Sequence, residues 1–181
     1  LVIVITFSYR MLGPKLNSFL SHLPPFRENR TRFRDFGRII IGLERHRTIS
    51  NWANGLIESI RKLYDVRISN VLVWDDGLKG YLIRAGAGLS SGKMGMLYLP
   101  STSPLFKSKM ESGGVIVSEL AEEQFNTMDL KEAKVDLDYI HAAVSVPILI
   151  EGKVFALLNI GPKIDGEIFN EMDLSYLENL V

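Results

Sequence analysis

Two hydrophobic periods divide the chain. Up to about residue 65 the apolar residues recur every three, four or seven positions, and beyond it they gather in short blocks separated by Gly, Pro, Asn and Asp. The first is the period of helices and the second that of strands. Leu1–Phe7 is almost uniformly apolar, too short to cross a bilayer as a helix but fit to be the last turns of one; the other reading is a buried strand or helix. A helix over Gly13–His22 stops at Leu23-Pro24-Pro25, because proline donates no hydrogen bond and restricts the residue before it. Phe26, Phe33, Phe36, Ile40 and Leu43 then form a seam on a helix otherwise covered with arginines, the pattern of a short coiled-coil or bundle helix. The next helix starts at about Ser50, with Thr48 or Ser50 as its cap and Trp52, Leu56, Ile57, Ile60 and Leu63 as its buried stripe.

Strand signals begin at Val66. Arg67–Trp74 and Tyr81–Ala87 flank Asp75-Asp76-Gly77, a hairpin signal. Met96–Leu99 is a short strand stopped by Pro100, and Val115–Val117 is another, entered through Gly113-Gly114. Between them Ser103–Met110 reads as a short helix with Ser103 as cap and Pro104 at its first position. Glu119–Asp138 is acidic and mostly helical or irregular, and His141–Ile150 and Lys153–Ile160 surround a second hairpin turn, Glu151-Gly152. Asn170 caps a final helix from Glu171, buried through Leu174, Leu177 and Leu180. Short antiparallel strands with helices gathered around them make an α+β domain, not a doubly wound one.

Composition narrows the chemistry. The 181 residues are 46% hydrophobic and 23% charged, the balance of a globular domain with a modest appendage. There is no cysteine, which disfavours disulfide scaffolds, iron–sulfur clusters and covalent attachment of a bilin. Lys plus Arg equals Asp plus Glu at 21 each, so the chain lacks the basic field of a nucleic-acid binder. The balance is uneven along the chain: residues 1–47 carry 9 bases against 3 acids, a net of +6, and the remainder carries 12 against 18, a net of −6. Basic residues after Leu1–Phe7 are what the cytoplasmic flank of a membrane helix shows. The chain begins without Met and ends within an apolar helical pattern, and reads as a piece of a longer protein.

Candidate chemistry is sparse. Gly86–Gly95 is glycine-rich, but a phosphate loop would need glycine at Ala87 and a hydroxyl at Met94, and a dinucleotide fingerprint would need glycine at Ser91. His22, His46 and His141 are too dispersed for a metal pair. His141 opens an apolar strand, where it fits either a pocket-facing group, including a haem ligand, or a structural histidine. Glu119, Glu122 and Glu123 have the spacing of a solvated helix face, and Ser90, Ser91 and Ser145 have no assignable base. No catalytic constellation emerges.

The last third of the chain, Val146-Pro-Ile-Leu-Ile-Glu-Gly-Lys-Val-Phe-Ala-Leu-Leu-Asn-Ile-Gly-Pro-Lys163 followed by Gly166-Glu-Ile-Phe-Asn-Glu-Met-Asp173, resembles the closing hairpin and helix of a GAF domain, and the resemblance extends over about Arg45–Val181. It implies a PAS-like central antiparallel sheet of about six strands with helices packed around it. Lys163, Phe169 and Asp173 match three members of the signature some GAF domains carry, while Pro162 and Leu174 depart from it. In the family the Lys and Asp act as a structural ion pair, so the match does not imply cyclic-nucleotide binding. The pocket of the family lies between the sheet and its helical connections, which directs attention to Phe106, Val117, Phe125, Tyr139 and His141.

With the basic leader, the whole resembles the cytosolic GAF region of a membrane-bound bacterial sensor histidine kinase. The division expected is 1–25 as a leader ending a membrane helix, 26–47 as a basic signalling helix, and 48–181 as the GAF-like domain with its outgoing helix, on the cytoplasmic side of the inner membrane. The function this implies is sensing of a small molecule of unknown identity within a homodimer joined through the flanking helices. The alternative is a ligand-free dimerisation module that sets helix register. A third reading, an enzyme like the free methionine sulfoxide reductases that share the fold, lacks the cysteines that activity uses in the family.

Overall fold

A computed structural model of the chain describes residues 48–90, 92, 96–106 and 113–178, all within the unit Arg47–Val181. The expected helices before residue 48, with the Phe26–Leu43 seam, His22 and His46, lie outside the described residues, as do Ser91, Leu180 and the second half of the helix expected over Ser103–Met110.

Helix α1, Ile49–Tyr64, forms where the sequence places it. Thr48 is extended, and its hydroxyl accepts the Asn51 N–H, satisfying one of the donors a helix start leaves open. Arg61 and Lys62 complement the negative end of the helix dipole, and Asp65 ends the helix in the left-handed conformation, at φ 48°. The buried stripe is Ala53, Leu56, Ile57, Ile60 and Tyr64. Trp52 and Leu63 are only half-buried, because helical geometry puts them at the margins of that stripe.

Six strands follow: β1 Ser69–Asp75, β2 Gly80–Ala87, β3 Tyr98–Pro100, β4 Ile116–Val117, β5 Val144–Ile150 and β6 Lys153–Ile160. They form one sheet in the order β3-β2-β1-β6-β5-β4, with every neighbouring pair antiparallel. The β5–β6 hairpin closes on Glu151 and Gly152, both with positive φ (53° and 74°), the two-residue turn whose twist matches the strands. The β1–β2 connection is longer: Asp75 pairs with Gly80, and the Asp75 carboxylate accepts the N–H groups of Gly77 and Leu78, both at 3.1 Å. Gly80 is required by space, since a Cβ there would lie 2.5 Å from the Tyr98 ring. Each long hairpin carries a bulge, which leaves Arg84 and Phe155 without a cross-strand partner.

The helix expected from Ser103 is a single 3-10 turn, Pro104–Phe106, in its described part. The acidic segment resolves into a 3-10 turn over Ser118–Leu120, α2 (Ala121–Gln124) and α3 (Thr127–Tyr139), while α4 spans Glu171–Glu178. Asn126 caps α3 and Asn170 caps α4, each accepting two backbone N–H groups. His141 does not open β5. It sits at φ 57° just past α3, where the Ala142 N–H returns to the Leu137 carbonyl at 2.9 Å, a Schellman closure that glycine usually makes. In α4 the buried residues are Asp173 and Leu177, and Leu174 is half-buried.

Strand alternation gives the sheet two working faces. Helix α1 packs against β1 and β2. The opposite, distal face carries Leu72, Tyr81 and Leu157, packed with Leu99, Leu105, Phe106, Ile116, Ala121, Phe125, Ala133, Leu137, Ile140 and Ala142. Burying one such Leu contributes about 1.5–3 kcal/mol, so this face anchors α3 and the 104–106 turn.

Candidate functional site

The distal face is organised by aromatic rings. Trp74 meets Tyr81 edge-on with centroids 5.3 Å apart, and Tyr81 stacks on Phe106 at 4.5 Å. The row runs from a half-buried ring on β1 to a buried one in the 104–106 turn. The Tyr81 hydroxyl donates to the Val154 carbonyl at 2.9 Å, and burial pushes its pKa up to about 12.

Of the five residues the sequence points to, the structure brings Phe106 and Phe125 together in this core. Val117 is buried in the edge strand β4, where its N–H donates to Gln124 Oε1 at 3.0 Å. Tyr139 is 44% exposed. Its hydroxyl accepts the Tyr98 N–H at 3.4 Å and donates to the Met96 carbonyl at 3.1 Å, standing where a neighbouring strand would pair with β3. His141 lies half-buried on the turn after α3. Tyr81 and Trp74, which complete the row, are strand residues whose alternation pointed inward but not to a site.

The same face carries a fully buried polar ladder. Asn70, Asn159 and Ser145 stand in register across β1, β6 and β5, all completely buried. Ser145 Oγ donates to Asn159 Oδ1 at 2.6 Å, Asn159 Nδ2 donates to Asn70 Oδ1 at 2.8 Å, and Asn70 Nδ2 donates to the Ile140 carbonyl at 2.7 Å. The chain of bonds ties the end of α3 to three central strands. Its signal was present: an Asn inside each of two apolar strands must find a partner if those strands are buried.

Ser103 and Asp136 form a second link between α3 and the 104–106 turn, with the Ser103 hydroxyl donating to Asp136 Oδ2 at 2.5 Å and accepting the Leu105 N–H. Burial raises the Asp136 carboxyl above the ordinary carboxylate range; the Ser103 hydrogen bond opposes this and Glu132 adds to it. Glu119, Glu122 and Glu123 are exposed.

Lys163 and Asp173 meet at the exit from the sheet. Their charged atoms are 2.7 Å apart, and the side chains are 8% and 2% exposed. Asp173 also accepts the Asn170 N–H while Asn170 accepts that of Asp173, a reciprocal cap that fixes the start of α4. Pro162 and Leu174, the departures from the signature, flank this pair without entering it. Among the described residues no cluster of three metal-ligating side chains occurs, and no helix is long and apolar enough to cross a membrane.

No protein-family model matches the sequence, and no curated protein matches it. Solved structures match the fold. The GAF domain of a phosphoenolpyruvate-protein phosphotransferase from Acinetobacter is similar over 83% of this chain and 87% of its own, with a TM-score of 0.62 and 16% identity. The fold is that of a GAF domain. A methyl-accepting chemotaxis protein fragment is similar at a TM-score of 0.58 and 13% identity, over 81% of this chain and 92% of its own. The free methionine-R-sulfoxide reductase of Neisseria meningitidis, in complex with its substrate, is similar at 0.58 and 10% identity, over 88% and 89%. This GAF fold therefore occurs in regulatory and enzymatic proteins alike, and its chemistry has to be argued from the residues.

Proposed function

We propose that this GAF-fold domain is the regulatory, small-molecule-sensing part of a signalling protein, with the distal face of the sheet as its sensing face. The observation that carries this reading is the Trp74–Tyr81–Phe106 row, which leads from a half-buried ring into the core on the face opposite α1. Aromatic rings with a few placed polar groups are what small-molecule sites use. A ligand held there acts by population shift, transmitting only its differential affinity for two arrangements of the flanking helices. The absence of cysteine from the sequence supports binding rather than a reductase-like reaction. A sensor histidine kinase as the parent, a dimer through the flanking helices and a place on the cytoplasmic side of the membrane are the corresponding proposals for the whole protein. They rest on the resemblance of the basic segment before residue 48, followed by the GAF-like body, to the cytosolic region of such kinases.

A second reading is favoured by a different observation. The buried polar side chains of the distal face, Asn70, Ser103, Ser145 and Asn159, are all hydrogen-bonded within the protein, as suits a ligand-free relay whose site is filled by its own side chains. Tryptophan fluorescence separates the two. In Trp52→Phe, Trp74 is the sole reporter, since the chain has 2 tryptophans. A protein-free extract of small molecules that changes Trp74 emission in Trp52→Phe supports sensing; an unresponsive Trp74 supports the relay.

A further inference from the structure

The last turn of α1 and the first turn of α4 meet in one cluster, although the whole sheet separates them in sequence. The Tyr64 ring packs on Phe169 with centroids 5.6 Å apart, and the Tyr64 hydroxyl donates to the Asp173 carbonyl at 3.4 Å. Asp173 holds Lys163, whose Nζ also lies 5.1 Å from the centre of the Phe169 ring and donates to the Ile168 carbonyl at 3.3 Å. The backbone repeats the connection: Val66 bridges to Lys163, and the Ile164 N–H donates to the Asp65 carbonyl at 2.9 Å.

The geometry points to a joint: Tyr64, Phe169 and the Lys163–Asp173 pair couple α1 directly to α4, so that a displacement of one helix end reaches the other without passing through the distal face. The reason is the cost of separating the parts. Drawing the first turn of α4 away from Lys163 leaves a buried carboxylate without its counter-charge. Drawing the end of α1 away strips the Tyr64 ring from Phe169 and breaks the bond to the Asp173 carbonyl. Tyr64 is thus a positioning residue for α4. The joint stands whether or not a ligand occupies the distal face, and so goes beyond the sensing reading.

Amide hydrogen exchange on the full chain tests it with two variants. Tyr64→Phe removes the hydroxyl and keeps the ring; the joint predicts exchange about threefold faster or more in α4, at Leu174–Leu177, with Val71 and Leu158 in the sheet unchanged. Asp173→Asn should act in reverse, speeding exchange at Arg61–Tyr64, because coupling between two sites is reciprocal. Effects confined to the substituted helix would overturn the joint. So would a uniform increase across the sheet in Tyr64→Phe, which marks a general loss of stability. Should Asp173→Asn fail to fold, the Tyr64→Phe result decides alone.

Discussion

Ser69 Oγ is completely buried and, among the described residues, is the buried side-chain polar atom without a hydrogen-bond partner. An unmade buried hydrogen bond costs more than the hydroxyl returns, so Ser69→Ala is expected to raise stability by about 1 kcal/mol in urea unfolding. Tyr81 gives a pH signature. Its folded pKa is raised to about 12 from 10.0, so its contribution is complete below pH 10 and is lost as pH rises toward 12. The stability difference between the wild type and Tyr81→Phe should therefore shrink between those values. Asp136 is also raised, so its ionisation in the fold is unfavourable: Asp136→Asn should be more stable than wild type at neutral pH, an advantage that disappears in acid as the wild-type carboxyl takes up its proton.

At the scale of elements, the Asn70–Asn159–Ser145 ladder makes the strongest prediction. Asn159→Leu leaves the Ser145 hydroxyl and Asn70 Oδ1 buried without the partner they share and is expected to cost about 2–5 kcal/mol, read as a lower urea midpoint. The ladder also shows why some of the structure was legible in the sequence and some was not. Hairpin turns, the Thr48 and Asn170 caps and the α1 stripe are decided by neighbours within a few positions, and these were readable to within a residue or two. His141 was misplaced because a left-handed helix end is usually glycine, and its apolar flank looked like the start of a strand. The Tyr139 hydroxyl meets the edge of β3 through a partner 41 positions away, which no local pattern signals. The ladder spans 89 positions between Asn70 and Asn159, and nothing local announces which buried polar residues will find each other.

Taken whole, the described domain has the GAF fold, with one face of its sheet taken by α1, an aromatic row on the other, and a joint between the first and last described helices. Sensing requires a ligand whose affinity differs between helix arrangements, and the distal face is where its binding energy would be gathered. Native mass spectrometry of the chain, purified without added ligand, addresses this most directly. A small molecule is expected to be retained at one per chain and lost in Trp74→Ala, which removes the half-buried ring at the head of the aromatic row. A ligand-free chain in both the wild type and that variant would contradict sensing, and a ligand-free dimer would assign the domain to relay instead.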